Sequence, residues 1–244
     1  MKKTLTFVIT ALLLSSLALT FAYAQSVADI LEKMIEANGG RKALEAIKDT
    51  TISGEAEMIP MAISGTMTMY HKEPGMTRQD MEFRGRVMTQ AFDGEMAWYT
   101  YPTGEAAAAP TEMQAYSEKA ALEMGNSLLL DPDKFGITHH LKGKETIDGK
   151  EYYLLERVFE SGDTTTFFID TQTFYVFKQR QYTLDMVGSE VEQEIVFSDY
   201  KKVDGIPYPF TMTINQGGEV FLIITATAVK FNSGLEDAFF KMEK

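Results

Sequence analysis

From residue 51 the chain alternates in steps of two. Ile52, Gly54, Ala56 and Met58 fall on one side of an extended segment, with Thr51, Ser53, Glu55 and Glu57 on the other, as in a strand with one buried and one wet face. The next segment repeats the pattern, with Ile63, Gly65, Met67 and Met69 set against Ser64, Thr66, Thr68 and Tyr70. Further strands are predicted at 76–83, 86–92, 96–101, 152–159, 164–170, 175–184, 190–200, 210–214 and 220–229. Pro74-Gly75, Arg84-Gly85, Asp93-Gly94, Asp148-Gly149 and Asp204-Gly205 punctuate them as turns, so successive strands are expected to be antiparallel neighbours.

Two stretches carry a helical period instead. Val27, Ile30, Leu31, Met34 and Ile35 form an i, i+3, i+4, i+7, i+8 stripe, and Ser26 with Asp29 resembles a capping box. Asn38-Gly39-Gly40 ends that helix, and residues 41–48 form a second short one. Between the two groups of strands, 111–130 is predicted as one amphipathic helix through Met113, Tyr116, Ala120, Met124 and Leu128, stopped by Asp131-Pro132. About eleven strands around one helical insertion make a mainly β (α+β) protein: a strongly curved antiparallel sheet or incomplete β-barrel.

The first 24 of 244 residues read as a secretory signal peptide. Lys2 and Lys3 form its positive start, residues 5–21 its apolar stretch, and Ala22-Tyr23-Ala24 its cleavage site. The mature chain is expected to begin at Gln25 and to form a single domain over 25–244, exported to the periplasm. Loss of the two lysines takes the net charge from -12 to -14, a surface that repels nucleic acid and anionic lipid alike. The chain has no cysteine. That excludes a disulfide frame, a thiolate metal site, a catalytic thiol and an N-terminal lipid anchor.

Catalytic signatures are absent. There is no Gly-x-Ser-x-Gly elbow, phosphate-binding glycine loop or two-histidine metal motif, so no enzyme, catalytic residue or cofactor is expected. His139 and His140 are adjacent, would point to opposite faces of a strand, and read as surface residues at a strand edge. Methionine is the unusual residue, with ten between positions 58 and 124 of a chain total of 15. Unbranched and polarizable, it suits a surface that repacks around variable apolar ligands, although the same pattern fills an ordinary core. A competing reading is copper, since Met67, Met69 and His71 share one strand face and suit Cu(I).

Several phrases resemble the LolA-like, outer-membrane lipoprotein-sorting protein family. They are Ile30-Leu31-Glu32 to Gly39-Gly40, the 51–58 strand, Pro74 to Arg78, Phe92-Asp93-Gly94 with Trp98, and Leu128-Leu129-Leu130-Asp131-Pro132. In the second half they are 167–171, Phe197-Ser198-Asp199-Tyr200 and 203–210. The resemblance implies helices over the concave face of an incomplete barrel, with acyl chains held between sheet and lid. The protein would then be a soluble carrier of acylated lipoproteins or other lipids, meeting donor and acceptor membrane proteins without a stable membrane anchor. A lipid- or lipoprotein-sensing regulatory module of the same fold is the alternative.

An acyl chain of about sixteen carbons forfeits roughly 12 kcal/mol on leaving a membrane, at about 0.8 kcal/mol per methylene. The pocket must therefore cover on the order of 500 Å² of apolar surface. Ile52, Met58, Met67, Met69, Met81, Phe83, Met96 and Trp98 are the candidate wall, Met113, Met124 and Leu128 the candidate lid, and Arg78 a candidate polar gate.

Overall fold

The computed structural model describes residues 26–101, 103–184 and 189–242. The expected signal peptide lies outside them. Helix α1 (Val27–Ala37) starts at the anticipated cap: the Asp29 N–H donates to Ser26 Oγ and the Ser26 N–H to Asp29 Oδ2, both at 3.1 Å. Gly39 and Gly40 take positive φ of 102° and 87°, which turns the chain into α2 (Arg41–Ala46).

Thirteen strands in the described residues form one antiparallel sheet. They are β1 (Asp49–Met58), β2 (Ile63–Lys72), β3 (Met76–Phe83), β4 (Arg86–Phe92), β5 (Ala97–Thr100), β6 (Ala106–Ala108), β7 (Thr138–Ile147), β8 (Lys150–Val158), β9 (Thr164–Asp170), β10 (Val176–Leu184), β11 (Glu190–Val203), β12 (Ile206–Gln216) and β13 (Glu219–Phe231). The spatial order runs from β6 down to β1, then from β13 down to β7. Every neighbour in it but one is consecutive in sequence. The exception, β1 with β13, joins the two chain halves in the middle of the sheet.

That order dictates the position of the lid. β6 and β7 are the two free edges, and the chain between them must cross from one edge to the other. It does so through α3 (Thr111–Met124), α4 (Ser127–Leu130) and a short 3-10 turn at Pro132–Phe135. The sheet curls because glycines admit backbone where other residues cannot. A Cβ on Gly54 would overlap the Thr225 carbonyl oxygen and one on Gly65 the Glu82 carbonyl oxygen, so β13 and β3 close over β1 and β2 at these points.

Two strands exceed the eleven expected. β6 is a three-residue edge, and β7 is polar along most of its length with largely exposed side chains, so neither offers hydrophobic alternation. The single helix expected over 111–130 is broken at Gly125 and Asn126. A Cβ on Gly125 would stand 2.6–2.8 Å from the His71 ring and the Glu73 carboxylate oxygens. That carboxylate accepts from the Asn126 N–H (2.6 Å) and the Ser127 hydroxyl (2.5 Å), capping α4 from the turn between β2 and β3.

On the concave face, Ile52, Ala56, Met67, Met81 and Phe83 pack with Leu222 and Ile224. Ile30 and Met34 of α1 cover Tyr153, Leu155, Phe167 and Ile169, and Ile35, Leu44 and Ile47 meet Leu130 and Ile206. Burying a side chain such as Ile30, with no exposed surface, contributes about 1.5–3 kcal/mol.

Candidate functional site

Helix α3 roofs two cavities. The larger, about 410 Å³, lies between α3 and β2–β5 and is reached by Met69, Gln79, Gln90, Tyr99, Met113, Ser117 and Met124. The smaller, about 250 Å³, lies beneath the α3–α4 break and is walled by Met34, Leu44, Ile52, Tyr208, Met212 and Phe231, with His71, Glu123, Arg157 and Gln179 as its polar members. Met124 lines both and divides them. Taken together the volumes fall within the roughly 300–1,000 Å³ typical of small-molecule sites.

The candidate residues separate into groups. Ile52 and Met69 line cavities, as do Met113 and Met124 of α3, which are 42% and 43% exposed. Met67, Met81 and Phe83 are buried in the apolar cluster with Met58 packed against it, and they line neither cavity. Met96 is half-buried in the turn before β5, its N–H donating to Asp93 Oδ1. Leu128 of α4 is wholly buried and lines neither cavity.

Trp98 and Arg78 differ from expectation. Their pairing partners are Ala91 for both and Tyr70 for Arg78, a row on the convex face opposite Met69 and Gln79. Both touch the edge of the larger cavity, but their side chains serve the C-terminal 3-10 turn (Asp237–Phe240). The Trp98 indole donates to the Phe240 carbonyl at 2.8 Å. The Arg78 guanidinium binds Asp80 and the Phe239 carbonyl and lies 4.6 Å from the Phe239 ring. The Trp98 indole thus holds the 237–240 turn and the Arg78 guanidinium is paired, while both residues also border the larger cavity.

A charged cluster invisible in sequence ties α3 to the far half of the sheet. The Lys119 ammonium donates to Glu123 Oε2 (3.0 Å), Thr165 Oγ1 (3.0 Å) and Gln181 Oε1 (2.7 Å). The Thr165 hydroxyl donates to Glu123 Oε1 (2.6 Å), and Arg157 Nη1 stands 3.8 Å from the same oxygen. The Lys119, Glu123 and Arg157 side chains are only 12%, 7% and 9% exposed. Burial holds the Arg157 guanidinium below its ordinary pKa while Glu123 opposes the shift.

His139 departs from the expected surface position. His140 is exposed, whereas His139 turns inward and its Nε2 accepts from Arg157 Nε at 3.5 Å. Burial first, then the Arg157 and His140 charges, push its pKa down to about 4. His71 is 2% exposed and is lowered by burial, with Glu73 and a hydrogen bond to the Ala121 backbone of α3 acting against the shift. Met67, Met69 and His71 do share a face, but Met67 sits in the apolar cluster and His71 is bonded to the lid.

At the other end of α3, Gln114 accepts from the Ala97 N–H (2.6 Å) and donates to the Ala97 and Ala109 carbonyls. The lid is therefore held at its start, middle and end by polar contacts, while Ala121 packs on Phe92 and Ala97. Missed by sequence reasoning were Phe197, Tyr208 and Met212, which wall the smaller cavity. Alternation in the 190–216 region was their available signal.

No family model matches the chain, and no curated protein matches it. Solved structures do. A DUF1329 family protein from Desulfovibrio piger aligns over 88% of this chain and 97% of its own, with TM-score 0.58 and 17% identity. A LolA superfamily protein from Nitrosomonas europaea has the same coverage and TM-score at 15% identity. A domain named for outer membrane lipoprotein sorting, from Vibrio parahaemolyticus, reaches TM-score 0.53 over 86% of this chain and 97% of its own, at 17% identity. An open antiparallel sheet, a lid joining its two edges and these alignments along nearly whole chains together give the protein a LolA-like fold.

Proposed function

We propose that the protein is a periplasmic carrier that holds the acyl chains of lipoproteins or other lipids between α3 and the concave sheet. The observation that carries this reading is the pair of cavities under α3, walled by flexible and aromatic apolar side chains and sharing Met124. Every contact that holds α3 closed is noncovalent, so loading requires separation of packed and hydrogen-bonded surfaces and no chemical step. The expected signal peptide over 1–24 and a single mature domain over 25–244 fit this role, as do acylated cargo and membrane-protein donors and acceptors as partners. The likeness to a domain named for lipoprotein sorting supports it at the level of fold.

The test is uptake of a fluorescent long-chain fatty acyl probe by the mature protein and by Met69→Asp. Met69 lines the larger cavity, and an unpaired carboxylate there makes apolar occupancy costly. Uptake by the parent and its loss in a folded Met69→Asp protein is the expected result. A parent that takes up no probe contradicts the reading.

A further inference from the structure

A continuous row crosses six strands on the concave face. Read through the strand registers it is Val229, Ile52, Met69, Gln79, Gln90 and Tyr99. Its chemistry changes along its length, from aliphatic to thioether to two carboxamides to a phenol. The last four members all reach the larger cavity, whose roof supplies Met113, Ser117 and Met124.

Gln79 and Gln90 are paired across β3 and β4, the first half-buried and the second exposed, and their carboxamides make no hydrogen bond to the described residues. Each offers two N–H donors and a carbonyl acceptor. Tyr99 adds a hydroxyl, 3.1 Å from that of Tyr101. Charge is scarce here: Arg78, the ionised residue that touches this cavity among the described residues, is engaged by Asp80 and the Phe239 carbonyl. The overall charge of -12 adds long-range repulsion of an anion.

We propose that the Gln79, Gln90 and Tyr99 end of this cavity is a head-group subsite for an uncharged ligand rich in hydroxyl, ester or amide groups, with the acyl tail running past Met69 toward Ile52. The inference rests on the acyl-carrier reading and narrows it: the cargo is an acylglycerol- or acylamide-type lipid rather than a free fatty acid or a phospholipid. Carboxamides donate to ester and amide carbonyls and accept from hydroxyls, so they satisfy such a head at both polarities. A carboxylate finds donors here but, among the described residues, no free cation, and it can only accept; with Gln90 and the Tyr99 hydroxyl open to water, the preference rests on hydrogen-bond matching at both polarities.

The test compares 1-monopalmitoylglycerol with palmitate, which have the same tail, by equilibrium binding to the full mature chain at pH 8. The glycerol ester is expected to bind about tenfold more tightly, and the double variant Gln79→Leu, Gln90→Leu to lose that preference while still binding a palmitoyl tail. In parallel, the side-chain amide NMR signals of Gln79 and Gln90 in the unaltered protein should shift with the glycerol ester, a readout that does not depend on the variant folding. Equal or tighter binding of palmitate, a preference retained by the folded double variant, or amide signals that do not move would each overturn the subsite and leave the carrier reading standing. Binding of neither lipid would overturn both.

Discussion

Glu123 is the most consequential single residue in the closure of α3. It accepts from Lys119 and Thr165 and faces Arg157, with all three charged side chains largely removed from water. Replacing it by Ala leaves Lys119 its bonds to Thr165 and Gln181, but leaves Arg157, among the described residues, with only the 3.5 Å contact to His139 as a hydrogen-bond partner. Removing one partner of a buried ion pair costs about 3–5 kcal/mol. Because Lys119 keeps two acceptors, the loss belongs at the lower end, about 3 kcal/mol. The cost falls on the closed form, since lifting α3 returns Arg157 to water. A 3 kcal/mol penalty therefore raises the open population by roughly two orders of magnitude, unless global unfolding is the cheaper escape.

Hydrogen exchange separates the two outcomes: α3 amides lose protection while those of β1 and β13 keep it if the lid opens alone, and all lose it together if the whole sheet is destabilised. Replacing Glu123 and Arg157 together by Leu should restore most of the loss, because a buried pair exchanged for apolar side chains is often neutral. A Glu123→Ala protein with unchanged α3 exchange and an unchanged urea midpoint would refute the role given to this cluster.

Other perturbations have equally definite outcomes. Gly125→Ala pushes a methyl group against the Glu73 oxygens and disrupts charge-assisted bonds to Asn126 and Ser127, costing about 2 kcal/mol in urea denaturation; unchanged stability would show that the break between α3 and α4 does not need glycine. His71 and His139 both have pKa values lowered in the folded protein, the latter to about 4. The unfolded chain thus takes up protons first as pH falls below about 6.5, and stability declines between there and about 4, by at most about 1.4 kcal/mol per pH unit for each histidine. Half-buried His139 contributes less than burial alone suggests because solvent screens it. Thermal melts across that range should show the decline, and His139→Gln should flatten it; a pH-independent melt contradicts the assignment. Ser26→Ala removes the cap of α1 and should cost about 1 kcal/mol, with an unaltered melt counting against the cap's role.

The alternation of residues 51–58 and 63–70 was enough to find β1 and β2 and their buried face, because Ile52, Ala56, Met67 and Met69 are all buried as that phase requires. It could not say which of those side chains border empty space. Met67 and Met69 have the same type and phase and share one buried apolar cluster, yet of the two Met69 alone also borders a cavity. Trp98 had the hydrophobicity of a cleft residue but found its partner in the Phe240 carbonyl, 142 positions away. Glu123, Thr165 and Arg157 come together only when the chain crosses from β6 to β7 and folds back, so no local spacing announces them. The break at Gly125 likewise depends on Glu73, 53 positions from the Asn126 N–H that it accepts.

The space beneath α3 is expected to hold acyl lipid. Native mass spectrometry of the mature protein isolated from the periplasm, followed by organic extraction of whatever accompanies it, is the measurement that decides this. The expected result is a mass increment that extraction removes and that yields an acylated lipid or peptide. A chain of bare polypeptide mass that also fails to gain mass when mixed with monopalmitoylglycerol would contradict it.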